Sequence, residues 1–142
     1  MPNIRDAVLK DEDEVYALIT ELEECELPRR EFSEVFKANL NSKQVRYFVA
    51  EENGRLIGFA SVHFQGLLHH AARIAELQEL VVNHEARGLG LGKLLLNKVA
   101  ELARLESCEQ LEVSCNKRRT ASHAFYESQG MTGTSYKFCL KL

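Results

Sequence analysis

No apolar run in the 142 residues approaches the length needed to cross a bilayer, and residues 1–10 alternate apolar and charged side chains without the apolar block of a secretion signal. A cytoplasmic address is therefore the expectation. Strong charge of either sign is also missing: 18 Lys and Arg against 21 Asp and Glu leave a formal net charge of −3. Such a chain has no broad positive field for nucleic acid or an anionic membrane, so any anionic ligand must be held locally. The four cysteines, Cys25, Cys108, Cys115 and Cys139, form no CxxC pair and show neither zinc-finger spacing nor a disulfide framework. Reduced thiols are expected. Internal repeats, low-complexity tracts and linkers are absent too, which predicts one domain over residues 1–142, long enough to bury one sizeable core.

What is present is a regular succession of periodic segments. Residues 4–9 read as a short strand, and Asp11 with Glu14 three residues later has the spacing of a capping box opening a helix. Val15, Leu18, Ile19 and Leu22 recur at helical spacing, as do Phe32, Val35, Phe36 and Leu40 after Pro28. Residues 46–51 and 56–65 read as strands around Asn53-Gly54, a dipeptide suited to the positive φ angles of a tight hairpin. A further strand over 73–82 leads to a helix over 91–106, with Leu91, Leu94, Leu95, Val99 and Leu102 on one face. A strand over 110–114, a helix over 119–129 ended by Gly130, and a closing strand over 136–142 complete an α+β order, with helices packed on one mixed sheet.

The segment joining the 73–82 strand to the 91–106 helix carries Gly88, Gly90 and Gly92 where the helix begins. Glycines let the backbone approach a bulky ligand, and the unpaired amides of a first helical turn face outward where the helix dipole favours an anion. A phosphate-bearing ligand is the expected guest. Two fingerprints are excluded by spacing. GxGxxG fails because position 93 is Lys93, and GxxxxGK[ST] fails because position 87 is Arg87 and Leu94 stands where a magnesium-binding hydroxyl belongs. What remains is R-x-x-G-x-G, met by Arg87, Gly90 and Gly92.

With that motif between this strand and this helix, the sequence resembles the GNAT acetyltransferase superfamily. A second segment carries the resemblance: Ser114-Cys115-Asn116, then a helix holding Tyr126. The resemblance implies a mostly antiparallel central sheet with flanking helices and acetyl-CoA in a splay between two parallel strands. It also implies that the backbone of Arg87, Gly88, Leu89, Gly90, Leu91, Gly92 and Lys93 holds the coenzyme's pyrophosphate. By the same pattern Asn116 bonds the pantetheine or phosphate arm, Tyr126 lies beside the sulfur, and amides of Leu80, Val81 and Val82 polarise the thioester carbonyl. Arg118 and Arg119 open a helix where positive charge opposes the dipole, so a nearby anion accounts for them as well as solvation does.

Acetyl transfer to an amine needs the free base, yet an amine of pKa near ~10.4 is unprotonated in only about one molecule in a few thousand at pH 7. Glu76 and Glu79, on the strand leading to the turn, are the candidate bases. Simple alternation puts them on opposite faces unless a bulge intervenes, and Glu76 is preferred. The stretch from Leu68, His69 and His70 through Glu76 and Glu79 to Val82 resembles a narrower group, the aminoalkylphosphonate N-acetyltransferases, as do Val15 to Ile19, Asn39-Leu40 and Val45 to Tyr47. That likeness implies a small aminophosphonate acceptor and assistance by a divalent metal, with His69, His70 and the nearby Glu76 or Glu79 as ligands. Arg46, Arg73, Arg118 and Arg119 are the cations available for a phosphonate.

The resulting expectation is an acetyl-CoA-dependent N-acetyltransferase acting on a small-molecule amine, with no covalent enzyme intermediate. The alternatives are acceptors among protein amines, polyamines or aminoglycosides, or a CoA-binding module without turnover. GNAT domains often dimerise, and the terminal strand offers an edge for pairing in a homodimer.

Overall fold

The structure, a computed structural model, describes residues 2–142; Met1, where the expected domain begins, lies outside the described residues. These residues form two compact units, one ending at Glu112 and one spanning Val113–Leu142.

The first unit is built on a sheet of order β1-β2-β3-β4-β5, comprising β1 (Asn3–Asp6), β2 (Val45–Glu52), β3 (Arg55–Leu67), β4 (Ala72–Val82) and β5 (Gln110–Val113), whose last residue begins the second unit. The pairs β1–β2, β2–β3 and β3–β4 are antiparallel, giving the mixed, mostly antiparallel α+β architecture that was expected. Asn53 and Gly54 both have positive φ, 52° and 76°, the backbone of a two-residue hairpin loop. After β4 the chain crosses back through α3 (Leu91–Leu105), and the Glu109 amide donates to the Arg73 carbonyl at 2.9 Å, so β5 enters beside the start of β4. Four residues of β5 cannot accompany all eleven of β4.

Helices α1 (Glu12–Glu23) and α2 (Arg29–Leu40) cover one face of the sheet. Val15, Leu18, Ile19 and Phe36 pack there with Tyr47, Val49, Phe59 and Val81. On the opposite face α3 lies so close to β3 that a methyl group added at Gly58 would meet Leu95 Cδ1 at 3.0 Å and Leu91 Cδ2 at 3.3 Å. Glycine is there for proximity. The burial on α3 departs from the simple stripe: Leu96 is buried and Leu94 is partly exposed. The buried stripe runs through Leu91, Leu95, Leu96, Val99 and Ala103, still at helical spacing.

Asp11 stands at the N-cap position of α1, as expected, but its side chain makes no bond to the helix end. Its carboxylate turns back to accept the Val8 amide at 2.8 Å and both Arg5 guanidinium nitrogens at 2.8 and 3.0 Å, while Glu14 accepts the Leu56 amide at 2.8 Å. A cationic partner outcompetes the helix end.

The second unit holds α4 (Thr120–Ser128), stopped by Gly130 at φ +88° with the Met131 amide returning to the Tyr126 carbonyl at 3.1 Å. The strand expected over residues 136–142 is not formed. Tyr136, Phe138, Leu140 and Leu142 alternate as a strand should, but all four are exposed, and among the described residues none of this stretch makes a backbone ladder bond. Alternation needs a paired neighbour to become a strand. Tyr136 instead takes the Lys117 ammonium over its ring at 4.9 Å.

Candidate active site

The glycine-rich turn begins where β4 ends. Asn83 donates its amide to the Ile57 carbonyl at 2.8 Å and accepts the Glu85 amide on its side chain at 2.9 Å, starting a 3-10 turn over His84–Ala86. Gly88 and Gly90 then adopt φ +80° and +79°, with open space where a Cβ would stand. The first backbone bond of α3 is Leu94 amide to Gly90 carbonyl at 3.1 Å, which leaves Leu91, Gly92 and Lys93 in the unpaired first turn. Among the described residues, no hydrogen bond uses the amides of Gly88, Leu89 or Gly90. This is an open set of donors at a helix start, with no acidic residue in its first turn. Arg87 turns its side chain away, its Nε–H donating to the Val82 carbonyl at 3.1 Å.

Upstream on β4 the register slips between Ser61 and Val62: Glu79 faces Ser61, but Glu76 faces His63 and Leu77 faces Val62. Gln78 is the extra residue, so the bulge brings Glu76 and Glu79 onto the same face of the sheet, where alternation alone separates them. Only Glu79 lines a cavity of about 450 Å³, enclosed by α1, α2 and the sheet. Val15, Ile19, Phe32, Phe36 and Phe59 supply its apolar wall; Asn39, Tyr47, His63, Gln78 and Glu79 supply polar atoms. Ser61, fully buried, donates its hydroxyl to the Glu79 carboxylate and accepts the Glu79 amide at 3.0 Å. Glu76 is occupied with the Gln78 amide group. Burial raises the Tyr47 hydroxyl above its ordinary pKa and the nearby Glu79 adds to this, against the Asn39 amide that donates to it at 2.6 Å. No Lys or Arg belongs to the described lining.

In the second unit Asn116 starts the turn before α4: its Oδ1 accepts the Arg118 amide at 3.0 Å, and its carbonyl takes the Arg119 amide at 3.0 Å and lies 2.8 Å from His123 Nε2. The Tyr126 hydroxyl is pushed up to about 12 by burial first and by Cys115 second, with Arg119 pulling the other way. The thiols of Cys115 and Cys108 are likewise raised by burial, which makes each a weak nucleophile.

The His69 and His70 rings lie tilted against each other in the β3–β4 turn, centroids 4.5 Å apart, and Glu112 is 3.6 Å from His70 Nε2. Four and seven strand positions beyond Ala72, Glu76 and Glu79 stand roughly 13 and 23 Å along β4, at about 3.3 Å per residue. Among the described residues no group of three or more His, Cys, Asp or Glu gathers to hold a metal, so the expected ligand role for His69 and His70 is without support. Of the candidate cations, Arg46 is tied to Asp6 at 2.7 Å, Arg73 lies over the Phe64 ring at 4.9 Å, and Arg118 is exposed.

Ser61 escaped the sequence reading, and Asn39 and Tyr47 entered it only within segments that carry the narrower resemblance, not as site residues. The signal for Ser61 was a polar residue within the otherwise apolar run 56–62; its meaning depends on a register that sequence does not display.

Comparison with known proteins gives a consistent picture. Residues 12–131 match the family described as the acetyltransferase (GNAT) family. The aminoalkylphosphonate N-acetyltransferase of Salmonella typhimurium (strain LT2) is 42% identical over 135 residues, covering 95% of this chain and 88% of that protein. Among solved structures, a putative acetyltransferase from Agrobacterium tumefaciens str. C58 superposes with a TM-score of 0.87 at 27% identity, over 99% of both chains. A transcriptional regulator from Bacillus halodurans C-125 reaches a TM-score of 0.91 at 19% identity over 100% of both chains, a likeness of fold alone. No helix among the described residues is long and apolar enough to cross a membrane.

Proposed function

Because this chain belongs to the acetyltransferase (GNAT) family, whose members use acetyl-CoA, we propose that it transfers acetyl directly from acetyl-CoA to the primary amine of a small aminoalkylphosphonate. The observation that carries the reading is the placement of Glu79 at a cavity on the same strand that runs into the open glycine turn. One strand thus supplies both a base for an amine and the entry to an anion-binding helix start.

In this scheme the turn of residues 87–93 holds the diphosphate through the amides of residues 88–93, and Asn116 and Arg119 assist along the coenzyme arm. Glu79, held at both its amide and its carboxylate by Ser61, takes a proton from the acceptor ammonium directly or through one water. Amides near Leu80, Val81 and Val82, beyond the reach of β5, polarise the thioester carbonyl as the amine nitrogen attacks. The carbon–sulfur bond breaks, Tyr126 donates a hydrogen bond to the departing thiolate, and the proton released from the amine returns to the sulfur through solvent. Glu76, bound to Gln78, has the lesser part. The phosphonate class comes from the 42% relative. The family match spans both compact units, which supports one functional domain over the chain.

The cavity wall favours a second reading, an amine with an apolar body, since its lining is aromatic and aliphatic without Lys or Arg. Thiol release from acetyl-CoA with aminomethylphosphonate, aminoethylphosphonate, an arylalkylamine, a polyamine and a lysine peptide, each with and without chelator, separates them. Turnover with the phosphonates is the expected result. Turnover with the arylalkylamine alone selects the second reading, and no thiol release with any amine overturns both.

A further inference from the structure

The coenzyme turn has an outer side as well as an open inner one, and that outer side is fastened by a single carboxylate. Glu21, near the C-terminal end of α1, accepts the His84 amide on Oε1 at 3.1 Å and meets His84 Nδ1 with the same oxygen at 2.7 Å. The Arg87 guanidinium approaches that oxygen at 3.9 Å while its Nε–H holds the Val82 carbonyl. Gly88 and Gly90 cannot fix the direction of their own amides, having no side chain and nothing packed beside them. Beyond the Asn83 bonds at its start and the Leu94–Gly90 bond at its end, the side-chain contacts that fix the turn are those of His84 and Arg87.

We propose that Glu21 is a positioning residue for coenzyme binding: through His84 and Arg87 it holds the turn so that the amides of residues 88–93 face the diphosphate. Arg87 then serves as a strut between Val82 and Glu21, its amide given to the His84 carbonyl and its guanidinium turned from the anion. The inference rests on the coenzyme assignment made above. It also ties the two substrates to one helix, because Val15 and Ile19 of α1 line the acceptor cavity that lies upstream of Glu21. A pre-set turn binds more tightly because less freedom is lost when the ligand arrives.

The contacts are solvated, with Glu21 at 26% and His84 and Arg87 at 67% and 60% side-chain exposure, so their removal should cost global stability little. The test is titration of coenzyme A into wild-type protein and Glu21→Ala by calorimetry, with thiol-release kinetics and melting curves on both. The dissociation constant for coenzyme A and KM for acetyl-CoA should rise about three- to tenfold, the loss expected of two exposed polar contacts acting together. The kcat at saturation should stay within about twofold of wild type, a split that a general loss of structure does not produce. Glu21→Gln, which keeps an acceptor for the His84 amide, should recover part of the affinity and keeps the test alive if the alanine variant fails to fold. Equal coenzyme affinity in wild type and both variants would overturn the role of Glu21 and leave the coenzyme assignment standing. Absence of coenzyme binding to wild type would remove the assignment itself and the inference with it.

Discussion

Replacing Tyr126 by phenylalanine removes one hydroxyl and nothing else, and the structure sets how much that should matter. Burial, reinforced by Cys115 and opposed by Arg119, pushes the hydroxyl up to about 12. A thiol has an ordinary pKa of about 8.5, so complete proton transfer from Tyr126 to the leaving thiolate runs uphill by about 5 kcal/mol at about 1.36 kcal/mol per pKa unit. Tyr126 therefore works as a hydrogen-bond donor to developing negative charge and keeps its proton. A hydrogen bond to a charged group is worth about 1.5–3 kcal/mol, which predicts a fall in kcat of about 10- to 150-fold for Tyr126→Phe. The assay is thiol release with both substrates saturating, followed from pH 6 to 10. Both enzymes should give profiles of the same shape, because the hydroxyl stays protonated throughout that range. Unchanged kcat would remove Tyr126 from the chemistry. An alkaline limb near pH 9 that disappears in the variant would show that the hydroxyl titrates as a true acid and refute the hydrogen-bond account.

The remaining predictions concern the base, the packing and the acid response. Glu79→Gln should lower kcat/KM by about 10²- to 10⁴-fold at pH 7 and recover part of the loss as pH rises, whereas Glu76→Gln should stay within a few-fold of wild type in the same thiol-release assay. Gly58→Ala presses a methyl against the buried Leu95 and Leu91; overpacking of about 1–3 kcal/mol should lower the melting midpoint by about 2–10 °C in calorimetry. The Asp11 carboxyl is held below its ordinary range, since the Arg5 and Val8 hydrogen bonds outweigh the burial that pushes it up. Its contribution is complete above the ordinary carboxylate pKa of about 4 and is lost as pH falls through the depressed folded value, so urea midpoints of wild type and Asp11→Ala should converge at acid pH.

Periodicity and turn chemistry carried most of the fold. The amphipathic repeats from Val15 to Leu22 and from Phe32 to Leu40, the Asn53-Gly54 hairpin and the glycine-rich helix start are local signals, and each became the expected element. Failures came where a partner outside the element decides. Asp11 was drawn from helix capping by Arg5, and residues 136–142 have the pattern of a strand without a ladder to join. The bulge at Gln78 was weighed as a condition, but nothing in the order of residues reveals that β3 and β4 slip between Ser61 and Val62. That slip puts Glu79 at the cavity beside the Ser61 hydroxyl, an arrangement invisible to residue-by-residue reading.

The central claim is that backbone donors at the start of α3 hold the diphosphate of acetyl-CoA. It is tested most directly by following the amide resonances of the 142-residue chain during titration with coenzyme A. The account predicts that the largest shifts fall on residues 88–93. Saturable binding that leaves those amides unmoved and shifts others would contradict it.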